Sequence, residues 1–120
     1  MRANLSSAQA YAVQFLQELR RRGGIVSSAV LAEASGISIK SVHGVMFRLV
    51  KTGLVARQMG PGGGYRLADP RYQASILDVI DALPESGKPS RISDKAEDIQ
   101  QAVARKTRKF WGEILYVDDL

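Results

Sequence analysis

The chain has 120 residues, 45% of them hydrophobic, enough for one domain with a modest core and too much for a disordered segment. Seventeen Lys and Arg against twelve Asp and Glu leave a formal charge of +5, a balance that favours a polyanionic partner. The absence of cysteine excludes disulfides, thiolate metal sites and cysteine redox switching, and the lone His43 argues against any metal site. No apolar run is long enough to span a bilayer and the N-terminus lacks a signal-peptide core, so a cytoplasmic protein with no membrane partner is expected.

Ser6 followed by Gln9 predicts a capping box, and Ala8, Tyr11, Ala12, Phe15, Leu16 and Leu19 then recur at helical spacing on one face. Arg20, Arg21 and Arg22 close this helix where cations suit its C-terminal end, and Gly23-Gly24 stops it, so the triplet reads as a solvated helix end. Ser27 or Ser28 caps a short second helix reaching about Ser35, with Val30, Leu31 and Ala34 turned inward. Gly36 makes the turn, and Ser38 caps a third helix that continues to about Thr52 and ends at Gly53. Leu31, Ala32, Gly36, Ile37, Val42 and Val45 fall where a helix–turn–helix needs them. The small Ala32 permits close approach, Gly36 the tight turn, and the apolar residues fill the angle between the helices.

Two apolar runs, roughly Leu54 to Met59 and Tyr65 to Ala68, flank Gly60, Pro61, Gly62, Gly63 and Gly64. They predict a β-hairpin whose glycines serve close approach to a surface rather than packing. A hairpin of this kind after a helix–turn–helix is the wing of a winged helix, and a phosphate backbone is its expected target. Asp69-Pro70 ends the second strand, and Ser75 with Asp78 predicts a capping box for a short helix containing Ile76, Leu77, Val79, Ile80 and Leu83. Pro84, Ser86, Gly87 and Pro89 mark a linker over residues 84–92. Ser93 or Asp94 then opens a long helix continuing close to the C-terminus, with an apolar stripe of Ile99, Val103, Phe110, Ile114 and Val117 widened by Trp111 and Leu115. The expected fold class is α+β, mainly α: a winged helix-turn-helix DNA-binding domain over residues 1–83, the linker, and a C-terminal dimerisation helix over 93–120. Ile99, Val103, Phe110, Trp111, Ile114 and Val117 are the expected dimer interface, with burial in the monomer core as the alternative.

On a helical wheel of the third helix, Val42, Val45, Met46 and Leu49 turn inward. Lys40, Gly44, Phe47 and Lys51 turn outward, flanked by Ser41, His43 and Arg48. A B-DNA major groove admits one helix, whose N-terminal half meets base edges. Ser38 and Ser41 suit hydrogen bonding there, Lys40 suits a guanine edge or a phosphate, His43 suits either, and Gly44 allows close approach. Phe47 is expected to tuck beneath a neighbouring element in preference to touching a thymine methyl. Arg57 and Arg66 on the hairpin suit phosphates or a flanked minor groove, whereas Tyr65 is expected to pack at the base of the wing. A nucleotide cradle is excluded, because Gly64 is followed by Tyr65-Arg66 rather than Lys-Ser/Thr and no helix follows. Arg105, Lys106, Arg108 and Lys109 read as a solvated face opposite the apolar stripe, with a second DNA surface as the alternative. No residue set suits catalysis, so a non-enzymatic role is expected. The alternative to DNA binding is a winged-helix protein-interaction module that meets an acidic partner.

The run Gly36-Ile37-Ser38, then Leu49 through Gly53-Leu54-Val55, then Gly60-Pro61-Gly62-Gly63-Gly64-Tyr65-Arg66-Leu67-Ala68, resembles the Rrf-type winged-helix transcription regulators of the IscR and NsrR kind. Ile76-Leu77-Asp78-Val79-Ile80 is similar to the segment after the wing in that family, and the final helix corresponds to its dimerisation helix in position only. The resemblance implies a homodimeric regulator of double-stranded DNA, usually a repressor, with the third helix in the major groove and the wing in the adjacent minor groove. Ser38, Lys40, Ser41, His43 and Gly44 correspond to the recognition segment and Gly60 to Tyr65 to the wing. Many members hold an iron–sulfur cluster through cysteines before the long helix. Here that stretch reads Pro84-Glu85-Ser86-Gly87-Lys88-Pro89-Ser90-Arg91, so no cluster or other cofactor is expected. Met59 stands where members often carry arginine, which implies either a loss of minor-groove affinity or Arg57 as a substitute cation. Neither the operator nor an effector follows from the residues.

Overall fold

Helix α1 spans Ser7–Arg22 in the computed structural model, which describes residues 5–84 together with Ile99, Tyr116 and Val117. Its capping box closes in both directions: Gln9 N donates to Ser6 Oγ at 3.1 Å and Ser6 N donates to Gln9 Oε1 at 2.9 Å. The apolar stripe is buried as expected, but burial extends around most of the helix and takes in Ala10, Val13, Gln14 and Glu18. Nearly encircled by its neighbours, α1 is the post on which the other helices pack. Arg21 and Arg22 are solvated at the helix end as expected, and both also reach back to an acid on α1. The Glu18 carboxylate, only 4% exposed, receives Arg21 Nη2 at 2.7 Å and Arg22 Nε at 2.8 Å. Arg20 Nη2 donates to the Tyr72 carbonyl at 3.0 Å. A carboxylate that deep needs these partners to offset its lost hydration.

Helices α2 (Ser28–Ser35) and α3 (Ile39–Lys51) form the helix–turn–helix. Ser27 Oγ accepts from Val30 N at 3.2 Å and Ser38 Oγ from Ser41 N at 3.1 Å, so each helix starts at a serine cap. Gly36 ends α2 in the left-handed region at φ 77°, which turns the chain sharply enough for α3 to cross it. Val42, Val45, Met46 and Leu49 seat α3 on the core and leave its opposite face outward.

Strands β1 (Val55–Gln58) and β2 (Gly64–Leu67) pair antiparallel with Val55 opposite Leu67 and Arg57 opposite Tyr65. Val26 adds a third, one-residue piece of strand. Its N–H donates to the Tyr65 carbonyl and its carbonyl accepts from Tyr65 N–H, both at 2.8 Å. This pairing ties the wing to the α1–α2 connection. It also corrects the role of two wing glycines. A Cβ on Gly64 would collide with the Val26 carbonyl, and one on Gly63 with the carbonyls of Gln58 and Gly60, so both are required by backbone packing.

Helix α4 (Ile76–Ala82) opens on the expected capping box, with Asp78 N to Ser75 Oγ at 3.1 Å and Ser75 N to Asp78 Oδ2 at 2.9 Å. The same carboxylate receives the Tyr72 hydroxyl at 2.7 Å, and this hydrogen bond raises the Tyr72 phenol above its ordinary pKa. Gln9 Nε2 donates to the Leu83 carbonyl at 2.6 Å in a buried bond that closes the end of α4 onto the start of α1. Tyr116 pairs with Ser75 as an isolated bridge, Val117 N donates to the Ala74 carbonyl at 2.8 Å, and Gln17 Nε2 donates to the Val117 carbonyl at 3.1 Å. A helix therefore does not run through Tyr116, where the chain is extended against the entry to α4. Ile99 and Val117 are 5% and 2% exposed and belong to the protomer's own core, which corrects their expected place in an open dimer face. Val103, Phe110, Trp111 and Ile114, the linker from residue 85, and the cluster Arg105 to Lys109 lie outside the described residues.

Candidate nucleic-acid interface

The outward face of α3 presents Ser38, Lys40, Ser41, His43, Gly44, Arg48 and Lys51, all exposed as expected, together with Ile39. Ser38 Oγ is already committed: it caps the helix and donates to Ser41 Oγ at 3.0 Å. Ser41 keeps its own hydroxyl proton free to donate outward. The first turn of α3 holds no acidic residue, so the partial positive charge of the helix N-terminus is left uncompensated.

His43 joins this face to the wing. Its ring lies 6.4 Å from that of Tyr65, tilted by 58°. Tyr65 is 5% exposed, packed at the wing base as expected, and so supports His43 from beneath instead of meeting a ligand itself. Between α3 and the hairpin lies an open cleft of about 180 Å³ lined by His43, Arg57, Gln58, Met59 and the backbone of Gly60, Gly63 and Gly64. Directly opposed residues of an antiparallel pair share a face. Arg57, opposite Tyr65, is therefore on the α3 side of the hairpin, and Arg66, opposite Ala56, is on the other. Their charge and spacing in the sequence do not distinguish the two arginines.

Phe47 is not tucked beneath anything: it is 64% exposed on the outward side of α3. Its outward helical position is as expected and its burial is not, because no described element covers that turn. Met59 at the wing is 72% exposed. From Ala34 to Ala68 the sequence contains Lys40, Arg48, Lys51, Arg57 and Arg66 and not one acidic residue. Among the described residues none of these five cations forms an ion pair. A walk along the sequence counting charge by segment would have found this.

Helix–turn–helix, hairpin wing and one acid-free cationic face together resemble known regulators. The model of the family Rrf2, described as an iron-dependent transcriptional regulator, matches residues 5–116. The chain belongs to the Rrf2 family. The HTH-type transcriptional regulator IscR of Photobacterium profundum is 36% identical over 112 residues, covering 92% of this chain and 64% of that protein. IscR of Cronobacter sakazakii is 38% identical over 93 residues, or 76% of this chain and 57% of that protein. The chain thus spans less than two thirds of the length of these Rrf2 relatives. Among solved Rrf2-type structures, IscR of T. potens superposes with a TM-score of 0.64 at 26% identity, over 96% of this chain and 83% of that one. CymR, described as the global cysteine regulator of B. subtilis, superposes with a TM-score of 0.67 over 96% and 93% at 18% identity, a likeness of fold.

The Rrf2 description names iron, and iron–sulfur clusters are held chiefly by cysteine thiolates. This chain supplies no thiolate, and its one histidine lies on the exposed face of α3. Among the described residues no group of three or more His, Cys, Asp or Glu converges on a point, so the donors present do not fit a cluster. No described helix is long and apolar enough to cross a membrane.

Proposed function

We propose that this Rrf2 chain is a sequence-specific DNA-binding transcriptional regulator, acting as a homodimeric repressor without an iron–sulfur cluster of its own. The observation that carries the proposal is the face made by α3 and the α3 side of the hairpin, which carries no acidic residue and whose cations form no ion pair among the described residues. Such a surface attracts phosphates over a Debye length and pairs with them at contact. In this mechanism α3 enters the major groove, where Lys40, Ser41 and His43 meet base edges and Arg48 and Lys51 meet flanking phosphates. Tyr65 props His43 at the mouth of the cleft. Arg57 and the backbone of Gly60 to Gly64, with Pro61 at the tip, follow the adjacent strand toward the minor groove. The winged-helix unit over residues 1–83 supplies one half-site contact, and residues 93–120 supply the pairing of two such units through Val103, Phe110, Trp111 and Ile114. No catalytic role is assigned. Repression follows where the bound dimer occupies a promoter.

The test is a Lys40→Ala, Arg57→Ala double variant, titrated by fluorescence anisotropy against a duplex enriched from a random library by the full chain. Both side chains are exposed, so the circular dichroism spectrum and melting temperature should stay unchanged while affinity falls by at least tenfold. Unchanged affinity with the fold intact would contradict the assigned face.

A further inference from the structure

Gly44 is the one described glycine for which neither the backbone conformation nor a neighbour among the described residues requires the missing side chain. It sits in the interior of α3 on helical backbone, and a Cβ built on it would meet nothing within 4 Å. The other described glycines each have either a positive φ or a backbone neighbour where a Cβ would stand. Glycine in a helix interior lowers stability relative to alanine. The missing side chain at Gly44 therefore serves something outside the chain.

Phe47 follows three residues later, on the same outward face, with 64% of its surface exposed. The Phe47 side chain comes no nearer than 4 Å to where a Gly44 Cβ would stand, so the turn beside the exposed ring is left bare. Around it the exposed side chains are His43, Arg48 and Lys51 on α3, with Lys40 one turn further on. An apolar ring inside a cationic, acid-free face has little use for a phosphate. In the major groove the apolar group offered by a base edge is the 5-methyl of thymine. The charge around the ring selects DNA over an apolar protein groove.

Resting on the DNA-binding function above, we propose that Gly44 and Phe47 together read thymine. The bare turn at Gly44 lets α3 sit deep enough in the major groove for the Phe47 ring to pack on a thymine 5-methyl group.

The experiment begins with the duplex that the full chain enriches from a random library. Each thymine is replaced in turn by deoxyuridine, which removes the methyl and keeps every hydrogen-bonding group. At one thymine the replacement should lower affinity about fourfold, the worth of one buried methylene-sized group. Phe47→Ala should abolish the sensitivity at that thymine and leave other positions unchanged. Gly44→Ala should raise the melting temperature yet weaken binding to the same duplex. If no duplex is enriched, DNA binding itself is overturned and thymine reading with it. An enriched duplex with no sensitive thymine, or with a sensitivity that survives Phe47→Ala, overturns only thymine reading. A Gly44→Ala variant that gains stability and keeps full affinity overturns the part assigned to Gly44.

Discussion

Arg57 and Arg66 carry the same charge on paired strands, yet the register sends them to opposite faces of the hairpin. Only Arg57 lines the cleft beside His43. Arg57→Ala should therefore weaken duplex binding and reduce the slope of log affinity against log salt by about 0.9, the release of one phosphate contact. Arg66→Ala should leave that slope nearly unchanged, and equal losses in both variants would show that the duplex meets both faces. Gly64 makes a prediction about folding instead. With the Val26 carbonyl where its Cβ would stand, Gly64→Ala should destabilise the protein by roughly 1–3 kcal/mol in urea denaturation, as overpacked sites do. A neutral result would mean that the wing shifts freely away from Val26. Residue type and local spacing were enough to put Ser38, Lys40, Ser41, His43, Gly44 and Arg48 on one exposed face. They were not enough for Phe47 or Glu18, whose exposure depends on which distant element covers them. No helical wheel carries that information.

Helices were legible because their ends are local chemistry. Ser6, Ser27, Ser38 and Ser75 each accept from the backbone N–H three residues on, and Gly36 ends α2 with a left-handed turn. For α4, only seven residues long, the box between Ser75 and Asp78 is a large share of what holds it. Ser75→Ala should cost about 1 kcal/mol of stability in urea denaturation while leaving duplex affinity unchanged at temperatures where the protein is folded. A parallel loss of affinity would mean that α4 transmits strain to α3. The pairings of Val26 with Tyr65 and of Tyr116 with Ser75 were invisible in the sequence. Each is a single bridge, too short to show the alternation that marks a strand, and each joins residues far apart in the sequence. The hairpin itself was legible, because two short apolar runs around a Gly-Pro-Gly tip have few other ways to fold.

At the scale of the molecule, one winged helix offers one recognition helix, and a regulator gains specificity by pairing two across half-sites about 34–36 Å apart. Light scattering should accordingly return twice the 13.1 kDa chain mass at micromolar concentration, and a value of 13.1 kDa would contradict the homodimer. Burial of Ile99 and Val117 inside the protomer narrows the proposed pairing surface to Val103, Phe110, Trp111 and Ile114. The central claim is that the face built by α3 and the wing binds DNA by sequence. Fluorescence anisotropy of the full chain with its enriched duplex and with a scrambled duplex, across a salt series, tests it most directly. The expected result is a preference for the enriched duplex of at least a thousandfold, the ordinary margin of a specific over a non-specific site, with log affinity falling linearly as log salt rises. Equal affinity for both duplexes, or no binding to either at low salt, would contradict it.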